Sequence, residues 1–440
     1  MSGRLLLIET RRGAGPWLLL TIPLFFWLHR DLSQFAPLWF KTSLTVRDGV
    51  TIVGPALAGV AAWLAGREGR RGLGELLYTV PQPALGRQLA SLLAVILWGA
   101  AAYLLVAATL VTITARHATW GGPILWPGLV GLLALGTHAA LGFLIGTTLP
   151  SRFTAPLVAV LAFFAQGIAH YVRFPDDPRF YWVTFLSPVA DLGASPWYGI
   201  QPDVGGPQAC FLLGLAGLAV AGLAVRGRGG AVAWLACGLC LLLTVLGVFS
   251  VYRTLPPRGR EGVRVATLAR PIPYSSLCSD DPLPVCVHPA FGSWLAEHGP
   301  LINRIAAPLI GLPGTPTRAV DYLPPQQPPP VDRLFFTPQP RADTFAARVA
   351  EAFLRSPAPY PIQRCPDARD RSSCWAAQSA VALWLVRQAN APEDPRYPAS
   401  PAIGAAAERF GALPEETRRA WLREQLVALR EGRVPLGDLP

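Results

Sequence analysis

The first 252 positions alternate long apolar runs with short polar connections, and the remainder contains no apolar run of comparable length. Apolar windows of about 17 or more residues fall near 13–29, 49–66, 89–113, 123–149, 155–172, 209–225 and 231–252; at about 1.5 Å per helical residue, each is long enough to cross roughly 30 Å of hydrocarbon. The pattern predicts an all-α polytopic membrane protein with about seven transmembrane helices over 1–252, followed by a small, mainly helical domain over 253–440. Pro16 and Pro23 interrupt the first window and a basic stretch precedes it, but no small-residue cleavage site follows, so it reads as an uncleaved anchor.

Beyond residue 253 the periodicity is that of short helices. Phe345, Val349 and Phe353 line one face of a helix expected to start near Asp343. Trp375–Val386 is apolar nearly all round and too short for a span, which predicts a buried core helix. Pro414, then Glu415 and Glu416, then Leu422, Leu426 and Leu429, with Gly432 beyond, describe a last amphipathic helix whose arginines form a solvated face. Pro300 and Pro308 are expected to break any long helix between Ala290 and Gly311. The Pro-rich segment 312–340 predicts polyproline or irregular backbone acting as a spacer.

Composition sharpens this division. Of 440 residues, 52% are hydrophobic and 15% charged, against about 25% charged in soluble domains, which excludes a single water-soluble globule. The net charge of +11 does not point to nucleic acid: residues 1–252 carry 16 basic and 9 acidic side chains, and 253–440 carry 22 and 18. In the first part the excess concentrates in alternate loops, with Arg4, Arg11 and Arg12, then Arg67, Arg70, Arg71 and Arg87, on the side of the N-terminus. By the positive-inside rule that side is cytoplasmic, and seven spans then place 253–440 outside the cytoplasm.

Cysteine usage agrees. Cys210, Cys237 and Cys240 lie in apolar runs, where a thiol behaves as a small hydrophobe. Cys278 with Cys286, and Cys365 with Cys374, form two local pairs in the polar part and read as disulfides of an oxidising compartment. The rival reading is a metal site of Cys278, Cys286, His288 and His298, whose spacing fits no zinc pattern.

Candidate chemistry is defined mostly by what is missing. The single lysine, Lys41, follows no glycine-rich run, so the chain has no P-loop to hold nucleotide phosphates. HExxH and GxSxG are missing too, and no carboxylate, lysine or arginine falls inside any of the seven windows. His138 is the one ionisable candidate within a span and is expected to be neutral and bonded to a neighbouring helix; an intramembrane enzyme would have to use it or His170. No catalytic, cofactor-binding or metal residue is assigned. Gly142 and Gly146 form a GxxxG pair suited to close helix approach. Between the second and third windows, Leu73, Leu76, Leu77 and Val80 fall at helical spacing, so a surface helix could present Arg71, Glu75 and Tyr78 to a partner.

Glu9-Thr10-Arg11-Arg12 before the first window, the Arg67–Leu89 loop with Glu75 and Pro81, Gly146-Thr147-Thr148 to Arg152, and Ser187-Pro188 together resemble the membrane subunits of ATP-binding cassette type-2 exporters. The resemblance covers about residues 1–228. It implies an N-terminal elbow at 2–12 containing Glu9, Arg11 and Arg12, and a coupling segment containing Arg71, Glu75, Leu76, Tyr78 and Pro81 that docks on a separate nucleotide-binding ATPase. It also implies a second permease subunit, identical or different, with ATP and Mg held by the ATPase and no cofactor on this chain. The seventh window and the domain after it depart from the family pattern. The expected function is therefore a permease subunit moving a substrate across the cytoplasmic membrane, not an enzyme. The alternative is a membrane-anchored extracytoplasmic binding or assembly protein.

Overall fold

The computed structural model describes residues 17, 19–24, 38–72, 83–171, 181–190, 197, 202–227, 229–254, 272–321, 333–336, 338, 342–355, 371–393 and 400–440. The chain divides into two compact units, Met1–Ile272 and Pro273–Pro440, so the division falls later than the 252/253 boundary read from the end of the last apolar run.

The first unit is a helical bundle. Its elements are α1 (Trp39–Asp48), α2 (Val50–Ala65), the one-turn α3 (Arg67–Arg70), α4 (Ala84–His117), α5 (Trp126–Thr148), α6 (Thr154–Tyr171), the one-turn α7 (Tyr181–Thr184), α8 (Pro202–Arg226) and α9 (Ala231–Thr254). Among the described residues, five stretches are long and apolar enough to cross a membrane: Trp39–Ala65, Ala84–His117, Trp126–Thr148, Val204–Arg226 and Ala231–Thr254. This makes the chain a helical membrane protein. Of the other two windows, 155–172 coincides with α6, whose described apolar part, Thr154–Gly167, is shorter than these five. The window 13–29 lies outside the described residues apart from a few positions.

The second window needs correction, because its helix begins at Trp39 rather than at 49 and carries Lys41, Arg47 and Asp48 inside it. A hydropathy window stops at those charges. The helix continues through them because tertiary partners satisfy the buried cation, as described below.

Helix α2 packs against α1, α4, α5 and α6, and α8 packs against α5 and α9. Small residues make the central contact possible. A methyl at Gly142 or Gly146 would collide with the backbone at Ala58 or Ala62, so the α2 and α5 backbones meet directly, as the GxxxG spacing predicts. At one end of the bundle, the hydroxyls of Thr42 and Thr114 share a 2.6 Å hydrogen bond that ties α1 to α4.

The second unit combines helices with a small sheet. Strands β1 (Leu277–Cys278), β2 (Val285–Val287), β3 (Arg318–Val320) and β4 (Arg333–Phe335) lie in that order, β1 antiparallel to β2 and the other pairs parallel. Two of these strands fall within 312–340, where the sequence predicts a polyproline or irregular spacer: 318–320 and 333–335 are built into the sheet instead, while 312–317 is irregular. Around the sheet lie α10 (Gly292–Ala306), α11 (Ala342–Leu354), α12 (Arg371–Gln388), α13 (Pro401–Ala412) and α14 (Glu415–Arg430).

Helix α10 runs through Pro300, contrary to the expected break. Pro300 and the residue whose carbonyl it leaves free, Ala296, are both exposed, so water replaces the lost bond while Ile302 and Ile305 are fully buried on the other face. Phe345, Val349 and Phe353 of α11 join Leu422, Leu426 and Leu429 of α14 in one continuous core with the α12 residues Val381 and Leu385. Ser400 caps α13, its hydroxyl accepting from the Ile403 N–H. Gly432, at φ +68°, ends α14 in the left-handed conformation that glycine adopts without strain.

Cys278 and Cys286 face each other across the antiparallel pair and are joined by a disulfide, so neither is free for the metal site considered above. Cys374 is also disulfide-bonded, and Cys365 lies outside the described residues.

Candidate functional site

Among the residues implied for coupling, Arg71 closes α3 and is exposed, whereas Glu75, Leu76, Tyr78 and Pro81 lie outside the described residues, as do Glu9, Arg11 and Arg12 of the elbow. Both feet of the loop are described. Arg70 donates to the Trp63 carbonyl at 2.6 Å and stacks its guanidinium over the Trp63 ring at 4.1 Å. Glu68 and Arg87 approach to 3.8 Å, closing the base of the loop by an ion pair between α3 and the start of α4. Gly69 lies so close to Pro150 that a side chain there would collide with it. The loop therefore leaves from a base held to α2, to α4 and to the α5–α6 connection.

A second polar site lies at the opposite end of the α1–α2 helix. Arg47 is fully buried, with one guanidinium nitrogen donating to the Ala190 carbonyl and the other to Gln208 Oε1, both at 3.3 Å. The Gln208 amide donates in turn to the carbonyls of Phe185 at 2.6 Å and Ser187 at 3.1 Å. One cation and one amide thus clamp segment 185–190 onto α1 and α8. Arg47 lies just outside the apolar window 49–66, and no window contains a charge. Its burial depends on Gln208, 161 positions away, and no local pattern reports such a partner. Of the aromatic residues between 173 and 208, Phe185 is buried in a small cluster with Val204 and Val251, and Trp182 makes an edge contact with Tyr252; Phe180 and Tyr198 lie outside the described residues.

A third site lies midway along the bundle. His138 Nδ1 is 2.7 Å from the Ala134 carbonyl, which can only accept, so Nδ1 carries the proton and Nε2 is an acceptor. Gln166 on α6 donates its amide to that Nε2. This is the neutral, helix-bridging histidine that the sequence predicts. The side chain of His170 lies outside the described residues.

In the second unit, His288 directly follows β2 and Asp321 directly follows β3. The His288 backbone N–H donates to Asp321 Oδ2 at 2.7 Å, and its Nδ1 accepts from the Ala290 N–H at 3.1 Å. Its ring lies 4.4 Å from that of Tyr274. Burial pushes the imidazole pKa down to about 4, so it is neutral at physiological pH. His298 stacks on Trp294 and meets Phe345 edge-on. Among the described residues no group of three or more His, Cys, Asp or Glu side chains could hold a metal ion. Arg419 and Arg423 of α14 are exposed, as the expected solvated arginine face requires, but Arg430 departs from it. It is buried and donates to the Gly314 carbonyl, while Gln378 donates to the Leu429 carbonyl at 2.7 Å beside it.

No curated protein and no solved structure matches the chain. Residues 316–431 match a family described as a domain of unknown function, DUF7224, so the similarity covers β3 to α14 of the second unit and none of the membrane bundle.

Proposed function

We propose that the chain is the permease subunit of an ATP-binding cassette exporter, moving a substrate across the cytoplasmic membrane on power supplied by a separate ATPase. The observation that carries this reading is the anchored base of the α3–α4 loop. A segment that transmits force needs fixed ends, and here the ends are held by Arg70 on Trp63, by Glu68 with Arg87 and by Gly69 on Pro150. The sequence supplies the companion argument, since a polytopic bundle without a P-loop draws energy from elsewhere.

In this reading seven spans cross the membrane, the N-terminus and the α3–α4 loop are cytoplasmic, and the second unit with its disulfides lies outside. Two permease subunits and two ATPases form the working complex. The test is co-purification from membranes of the ATPase with this chain. Substituting Glu75→Ala and Tyr78→Ala together should abolish recovery of the ATPase, or its stimulated hydrolysis, while insertion stays normal. Unchanged coupling in that variant refutes the reading. The second unit has a core of its own, which favours the alternative of a membrane-anchored binding or assembly protein; full function from residues 273–440 alone would promote it.

A further inference from the structure

One face of the small sheet carries two arginines side by side. Arg318 on β3 and Arg333 on β4 are register partners across a parallel ladder, so their side chains leave the same face from strands about 4.8 Å apart. Both are exposed. The residues that follow them, Ala319 and Leu334, point the other way and are buried in the core, which holds the two strands, and with them the two cations, in place. Like charges directly opposite each other on a sheet repel and are destabilising.

Among the described residues nothing relieves that repulsion, because neither guanidinium makes an ion pair or a hydrogen bond. Asp321, three positions beyond Arg318, is buried and accepts the His288 N–H, and Asp332 lies outside the described residues. The exposed arginines elsewhere differ: on α14, Arg419 has Glu415 and Glu416 on the preceding turn. An anion placed between Arg318 and Arg333 would cancel their repulsion and gain from both charges. Each guanidinium is a planar fork that matches phosphate oxygens two at a time. The next register pair on the same face is Val320 and Phe335, both half-buried, so an apolar shelf adjoins the cations. We propose that Arg318 and Arg333 together bind a phosphate group, carried on a lipid headgroup or on a soluble ester, with the apolar part of the ligand lying along Val320 and Phe335. The site belongs wholly to the second unit and goes beyond the permease reading without resting on it.

The test titrates the purified full chain, in an uncharged detergent at low ionic strength and with no ATPase present, with inorganic phosphate and with dihexanoylphosphatidic acid. Dihexanoylphosphatidylcholine is the control without net charge. Both phosphate probes should bind saturably, and binding should weaken at least about tenfold in Arg318→Gln and in Arg333→Gln, the factor expected for a lost charge-assisted hydrogen bond. Arg419→Gln with Arg423→Gln removes charge from α14 instead and should leave binding nearly unchanged. Tighter binding of the lipid than of inorganic phosphate assigns the site to a headgroup, and equal binding assigns it to a soluble ester; the site stands in either case. Failure of both probes to saturate, equal weakening by the α14 substitutions, or binding that survives loss of both sheet arginines would each overturn it. If the glutamine variants fail to fold, Arg318→Glu decides: it sets an acid opposite Arg333, so it should abolish binding while hydrogen-exchange protection of the second unit holds or rises, and binding retained in it overturns the site.

Discussion

The two units solve the same packing problem for different solvents. In the second, the large side chains are inside: Phe345, Phe353 and Phe410 are at most 1% exposed. In the first, glycine and alanine occupy the α2–α5 contact while large apolar side chains face outward, as with Val232 at 80% and Leu235 at 73% on α9. Lipid tails are as apolar as leucine, so a membrane bundle gains nothing by hiding Leu and gains dispersion by bringing backbones close. Water penalises the same arrangement, which is why the second unit has few comparable outward-facing residues. The buried arginines follow one rule in both. Arg47 and Arg430 donate to carbonyl oxygens, and each thereby fixes a neighbouring segment of chain.

The contrast can be broken most directly by truncating a large side chain on each side. Phe353→Ala should destabilise the second unit by about 3–5 kcal/mol, whereas Leu239→Ala, on the exposed face of α9, should change bundle stability by about 0.5 kcal/mol or less. Hydrogen exchange resolved by peptide on the full chain measures both, and equal losses would undo the distinction. Next, Gly142→Val drives a branched side chain into the Ala58 backbone and should cost roughly 1–3 kcal/mol, read as a lower unfolding midpoint in detergent. A neutral outcome would mean that α2 and α5 do not meet backbone to backbone.

The smallest effect concerns pH. His288 has its pKa lowered by burial to about 4 from the ordinary 6.5, so the unfolded chain takes up its proton first as pH falls. Its stabilisation is complete above the unfolded value, is lost as pH drops from about 6.5 towards 4, and then levels off. The loss should be roughly 1–2 kcal/mol after allowance for solvent screening. It should appear as lower protection in the second unit at pH 5 than at pH 7, with each exchange rate divided by the intrinsic rate at that pH, and His288→Gln should flatten that difference.

Local pattern carried a large part of this fold. Helix α14 follows from Pro414, Glu415, Glu416, the three leucines and Gly432, because each acts within a turn of its neighbours. The Cys278–Cys286 bond follows from spacing alone. What escaped is non-local. Hydropathy starts the second span only at Gly49, since nothing near Arg47 announces Gln208. Pro300 reads as a stop because periodicity does not reveal that the carbonyl it frees, that of Ala296, is on the exposed face. Segments of two and three residues were too short to read as strands until partners lay beside them.

The sequence by itself determined that this chain is a membrane protein and where most of its helices run, since hydrophobicity is a property of neighbouring residues. Tertiary structure alone decided that an arginine could lie buried in a span and that a histidine and a glutamine on separate helices would meet. Each of those depends on which distant group fills the other half of a hydrogen bond, and that is settled only when the chain has packed.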